Sequence, residues 1–209
     1  MRDRPDGPSN VRSRRTRAAL LAATRAIIEE EGFDALTMAR VAERAGVTRR
    51  AIYLHFTTRT ELVNALFAYV ADAEGLAAST DRVWAAENSL AALDQWARHL
   101  ARYHPRLLGL SRAVDRVRRI DPDAARHHEH VVHAQRANCR RLAMWLDREG
   151  QLAPVWTVDT ATDMLWALIS SDMVERLIVE RRWSSKRFAD HLSHLLRATF
   201  ARVPRAKGT

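Results

Sequence analysis

Cysteine is almost missing from this chain of 209 residues: Cys139 stands alone, so neither an internal disulfide nor a cysteine-built metal cluster can form. Glycine and proline are sparse, with 7 and 6 residues, which excludes collagen-like and low-complexity architectures. No apolar run approaches the roughly 18 residues a membrane-crossing helix needs, and the opening MRDRPDGPSN offers no apolar stretch to a secretion signal. The expected location is the cytoplasm, away from any membrane. Alternation of apolar and polar residues is nowhere long enough for a strand. Missing too is any nucleophile, base and oxyanion-donor constellation or carboxylate pair at a catalytic spacing, so the chain is not expected to be an enzyme. No cofactor is expected either.

What the chain has is arginine, 32 residues against 2 lysines, and a formal charge of +9. The charge is uneven. Residues 1–60 carry 12 arginines against 7 acids, and Arg12, Arg14, Arg15, Arg17 and Arg25 fall in a stretch without an acidic residue, as suits a phosphate-seeking arm. Residues 61–97 carry one arginine against six acids. Residues 98–141 reverse the balance with 11 arginines against four acids, which reads either as a solvated surface or as a draw for an acidic ligand through Arg98, Arg102, Arg112 or Arg116.

Apolar residues recur at spacings of three and four throughout, so the expected fold is all-α. A first helix spans about Val11 to Glu31 and stops at Gly32, with three acids at its unfavourable C-terminal end. Thr37 caps a short second helix, Gly46 turns the chain, and Thr48 caps a third whose Ile52 and Phe56 point inward. Two short helices about a glycine turn make a helix-turn-helix. Thr58 caps a fourth helix with Leu62, Leu66, Phe67 and Val70 inward, and Ser79-Thr80-Asp81 suggests a break. Further helices are predicted at about 85–103, 107–119, 123–149, 159–182 and 185–201. Three divisions follow: a flexible arm over 1–10, a three-helix helix-turn-helix DNA-binding domain with a linker helix over 11–80, and a helical domain over 81–209.

A DNA-reading helix needs a short polar first turn against base edges and flanks that grip phosphate. The third helix offers Thr48, Arg49 and Arg50 in its first turn, where arginine takes guanine edges bidentately, then Tyr53 for phosphate and Leu54 for a thymine methyl. His55 either holds the next helix or touches phosphate. Arg17, Thr37 and Arg59 complete the candidate DNA-binding set as phosphate contacts.

Residues 32–62, GFDALTMARVAERAGVTRRAIYLHFTTRTEL, strongly resemble the DNA-binding domain of the tetracycline-repressor (TetR) family. The likeness rests on Gly32-Phe33, Thr37, Val41-Ala42, Ala45-Gly46-Val47, Ile52-Tyr53, His55-Phe56, Arg59 and Glu61-Leu62. One residue departs from the pattern: Arg50 stands where the family often has a small side chain. The resemblance implies an all-helical homodimer that grips a palindromic double-stranded operator and releases it when a small effector binds the C-terminal domain. A repressor is the leading reading, with an activator of the same family as the alternative. In a different class stands a basic protein that coats nucleic acid or membrane surfaces without sequence preference.

Aromatic supply and polar anchors give the candidate effector site: Trp96, His99, Arg102, Tyr103, Met144, Trp145, Trp166 and Asp172, suited to an apolar or aromatic ligand with or without an acidic group. The apolar faces of the last two helices give the candidate dimer interface: Leu165, Met173, Phe188, Leu192, Leu195, Leu196 and Thr199. His127, His128, Glu129, His130 and His133 include helical spacings a metal can use, but a solvated face is the preferred reading and no metal is expected.

Overall fold

The computed structural model describes residues 8–73 and 75–202. Residues 1–7 of the expected arm lie outside them. The architecture is all-α, as the periodicity requires, and falls into two compact units. The first takes the described residues up to Val70 together with Gly109–His128; the second takes Ala71–Leu108 and Glu129 onward.

In the first unit, α1 (Pro8–Glu31) packs on a 3₁₀ turn (Phe33–Ala35) and on α2 (Met38–Arg44), and α2 packs on α3 (Arg49–Tyr53). Leu20, Ile27, Phe33, Leu36, Val41, Ile52, Phe56, Leu62 and Leu66 are all buried, so each predicted inward stripe is an inward stripe. Gly32 ends α1 at φ 92° and ψ 169°, a region closed to side-chain-bearing residues, and not in the left-handed helical conformation expected there. The acids at the end of α1 are also compensated: Glu29 pairs with Arg25 at 2.8 Å, Glu30 with Arg44 at 2.5 Å, and Glu31 with Arg40 and Arg44. α4 (Arg59–Ala73) follows, its first-turn N–H at Glu61 bonded to the Thr58 hydroxyl at 3.1 Å.

Three element boundaries differ from expectation. α5 (Leu76–Trp84) runs through the predicted break at 79–81, since Gly75 at φ 63° makes the turn instead and Ser79 is buried. α6 (Ser89–Val117) continues through Pro105. The proline removes the N–H that the Ala101 carbonyl would accept, a cost of about 3 kcal/mol that the buried stripe Leu100, Ala101, Leu107 and Leu110 outweighs. After α7 (Pro122–Arg148), the predicted helix over 159–182 is broken into α8 (Val158–Ala167), α9 (Ser171–Val174) and a π-helix (Glu175–Glu180). Ser170 leaves the helical region to cap α9, and Arg182 sits at φ 54° behind the π-turn. α10 (Ser185–Phe200) closes the second unit, its end tied to the loop after α7 by Ala153 N–H to Phe200 O at 2.9 Å and the Trp156 indole to Thr199 O at 2.7 Å.

The core of this unit gathers Leu93, Trp96, Ala97 and Leu100 of α6, Cys139, Leu142 and Leu146 of α7, Leu165 of α8, and Phe188, Leu192, Leu196 and Phe200 of α10.

Candidate functional site

The helix-turn-helix is assembled by two threonine caps. Thr37 Oγ1 accepts from Arg40 N–H at 3.1 Å and Thr48 Oγ1 from Ala51 N–H at 3.2 Å, so each hydroxyl fixes a helix start. Between them Gly46, at φ 68°, brings Val47 N–H to Ala42 O at 3.0 Å. α3 stops at Tyr53, short of the expected Phe56; Ile52 on the helix and Phe56 beyond its end are both buried. This leaves Arg49 and Arg50 exposed, with Tyr53 at 46% and Leu54 at 77%. Arg17 lies with its guanidinium carbon 5.1 Å above the Phe56 ring, so a cation from α1 stands beside the same surface. His55 is half-buried, tilted against Phe56 with ring centroids 6.3 Å apart.

Arg59 behaves differently from the phosphate contact expected of it. Its Nη2 lies 2.5 Å from Asp121 and its Nε 2.8 Å from Asp123, while Nη1 donates to the Leu36 carbonyl at 3.2 Å. Burial works against the guanidinium charge, but hydrogen bonds and attraction from Asp123 and Asp121 outweigh it and raise its pKa. Burial likewise opposes ionisation of Asp123, and hydrogen bonds from Thr60, Arg59 and Arg126 outweigh it, holding this carboxyl below the usual range. Asp121 also caps α7, accepting from Asp123 and Ala124 N–H at 2.9 and 3.0 Å. The clamp continues through His127, buried, with its Nδ1 2.5 Å from Asn64 Oδ1 and its ring 4.2 Å from Phe67. The reach of Asp121 to Arg59, more than sixty positions away, is not visible in the sequence.

Of the candidate effector residues, the second unit brings Trp96, His99 and Tyr103 together along α6. Their rings follow one another at 5.2 and 5.5 Å, with Trp84 6.4 Å from Trp96 and His104 5.7 Å from Tyr103. Burial, aided by the charge of Arg82, pushes His99 down to about 4; burial, aided by His99, does the same to His104. The other candidates stand apart from this stack. Arg102 is exposed beside Gly75, Met144 is 45% exposed, Trp145 donates its indole N–H to Glu149 at 2.6 Å, Trp166 is half-buried against the core, and Asp172 is exposed. A depression of about 430 Å³, lined by polar residues including Asn88, Asp94, Glu149 and Arg197, shares none of the candidates.

The dimer candidates need a correction. Leu165, Phe188, Leu192 and Leu196 are buried within the chain's own core, so no partner can cover them further. Helical periodicity marks an apolar stripe without saying whether the same chain covers it. Met173 and Thr199 are half-buried, and Leu195 is 41% exposed. Met164 and Val179, exposed at 40% and 54%, were not anticipated. The histidine cluster does not converge: His127 is buried against Phe67, His128 faces Asp115 at 3.5 Å, and Glu129, His130 and His133 are exposed. No group of three or more His, Cys, Asp or Glu among the described residues is placed to hold a metal ion. No helix among them is long and apolar enough to cross a membrane.

A capped helix-turn-helix with an exposed basic reading helix, in an otherwise helical chain, defines the class of helical DNA-binding regulators. Residues 20–66 match the family of bacterial regulatory proteins, tetR family, a segment that contains the motifs of residues 32–62. A stretch of 51 residues is 47% identical to the HTH-type transcriptional regulator TtgR of Pseudomonas putida, and this match spans 24% of each protein. Across most of the chain the likeness is one of fold. NalD, the secondary repressor of the MexAB-OprM multidrug efflux pump in Pseudomonas aeruginosa, aligns at TM-score 0.69 and 21% identity over 94% of this chain and 100% of its own. A transcriptional regulator from Saccharomonospora viridis in complex with choline aligns at TM-score 0.65 and 12% identity over 90% of this chain and 98% of its own.

Proposed function

We propose that this chain is a sequence-specific transcriptional repressor that works in the cytoplasm, grips a palindromic operator as a homodimer and lets go when a small molecule binds its C-terminal domain. The observation that carries the reading is α3: a helix pinned by a cap at Thr48 and by buried Ile52, with Phe56 buried just beyond its end, presenting Arg49, Arg50, Tyr53 and the C-cap Leu54 outward. Arginines at such positions suit guanine edges, and a bare leucine suits a thymine methyl. Arg17, the backbone at Thr37 and the half-buried His55 supply phosphate contacts beside it. Arg59 drops out of the set, because its guanidinium is committed to two carboxylates.

Repression is favoured over activation by the likeness to NalD, a secondary repressor, and a small-molecule effector by the choline held in the Saccharomonospora viridis neighbour. In the domain scheme, residues 11–80 read DNA and 81–209 carry effector binding and dimerisation, the latter through exposed apolar residues such as Leu195 and Met164. The chain acts by binding and requires no cofactor. Selecting bound fragments from random DNA tests the reading: it should return a two-fold symmetric sequence with half-sites about 34–36 Å or somewhat more apart along the duplex. Recovery of unrelated sequences in proportion to their length would favour a non-specific basic binder.

A further inference from the structure

Trp96 and His99 are the most anomalous polar residues of the second unit. Both are more than nine-tenths buried, and neither Trp96 Nε1 nor His99 Nδ1 makes a hydrogen bond. A protein interior seldom leaves two such atoms unmatched on adjacent turns of one helix face. The stack they belong to is not sealed, since Trp84 and Tyr103 are only half-buried and Arg82, at the end of α5, is exposed. Arg141 lies with its guanidinium carbon 3.9 Å from the centroid of the Trp84 ring, and the charge of Arg82 acts on the His99 imidazole.

We propose that this stack is a binding site for a planar aromatic acid, whose carboxylate accepts the Trp96 indole N–H and meets the charge of Arg82 and Arg141 while its ring joins His99 and Tyr103. The proposal rests on the reading of this unit as the effector domain and narrows the effector to one chemical class. An indole N–H can only donate, so the ligand atom facing it is an acceptor. Arg141 over Trp84 and the charge of Arg82 make the surroundings of the stack positive, which favours an anion over a neutral acceptor and disfavours a cation. The flat rings select a flat partner.

Calorimetric titration of the full chain with benzoate and 1-naphthoate, against 1-naphthamide and 1-naphthylmethylammonium, tests this. At least one of the two acids should bind one per chain, at least tenfold more tightly than the amide or the ammonium. Arg82→Gln, at an exposed position, should weaken the acid at least tenfold and leave the amide unchanged. Trp96→Phe, which keeps a ring and removes the donor, should weaken both. The site is overturned if neither acid binds, if the amide or the ammonium binds as tightly, or if Arg82→Gln changes nothing. Operator binding is followed in parallel. An acid that binds as described without changing operator affinity upholds the site and contradicts effector-driven release, whereas a protein that still selects its operator but ignores both acids contradicts the site alone.

Discussion

Arg59 and Asp123 stand 64 positions apart in the sequence and meet at 2.8 Å between Nε and Oδ2, with Asp121 closing the fork at 2.5 Å. The pair joins the start of α4 to the start of α7 and, through the Leu36 carbonyl and the Phe33 ring 5.3 Å below the guanidinium, to the turn that precedes α2. A residue expected to hold DNA therefore holds the DNA-binding unit together.

Arg59→Met should cost about 2 kcal/mol of unfolding free energy, because two carboxylates left in a partly buried place lose their partner. The double variant Arg59→Met with Asp123→Leu should regain part of that loss. Urea denaturation checks both, and an Arg59→Met midpoint equal to the wild type's contradicts the clamp. The pH dependence has a definite sign. Asp123 ionises below its ordinary value in the folded chain, so its stabilising effect is complete above that ordinary value and is lost as pH falls through the lowered one. The stability gap between wild type and Asp123→Asn should therefore close in acid below about pH 4.

His99 and His104 lose stability in a separate, higher window. Both stay neutral in the fold down to about pH 4, while the unfolded chain takes up their protons near 6.5. Stability should fall as pH drops from 6.5 towards 4, by up to about 3 kcal/mol per pH unit for the two together. His99→Gln with His104→Leu should flatten that slope in urea titrations at pH 7.5, 6 and 5, and an unchanged slope contradicts the burial of these rings.

Cys139 is buried, and burial pushes its thiol up to about 12. The native protein should resist a thiol-specific disulfide reagent at pH 8 and react with one equivalent once denatured. Rapid native reaction would mean that the α7 core opens readily.

Two leucines three positions apart in sequence should respond differently to charge. Leu192→Arg places a cation in the interior of the second unit, where Leu192 is 4% exposed, and should abolish folding. Leu195→Arg, at a position 41% exposed, should leave a folded chain that sediments as a monomer if α10 pairs with a second copy. A folded Leu195→Arg dimer would move the interface elsewhere.

The contrast between these leucines shows where the sequence is legible and where it stops. The caps at Thr37 and Thr48, the turn at Gly46 and the inward Ile52 and Phe56 are local features, set by spacings of three and four, and the structure has them where the sequence puts them. Helix α6 defeats the same reasoning, because Pro105 signals an end that only the distant burial of Leu107 and Leu110 overrides. The Arg59 fork and the self-covered stripe of α10 are long-range facts. An isolated arginine in a DNA-binding motif looks the same whether phosphate or Asp123 awaits it. The aromatic site was partly visible: Trp96, His99 and Tyr103 share a helix face, whereas Trp145, Trp166 and Asp172 lie on other elements whose directions no pattern reveals.

The most direct test of the account is a fluorescence anisotropy titration of the selected symmetric operator and a shuffled duplex of equal length, at one fixed salt concentration, with wild type, Arg49→Ala and Arg50→Ala. The wild type should prefer the operator by at least a thousandfold. Each arginine variant should lose about 1–3 kcal/mol on the operator and much less on the shuffled duplex. Equal affinity of the wild type for both duplexes, or operator isotherms that both variants leave unchanged, would contradict the assignment of α3 as the reading helix.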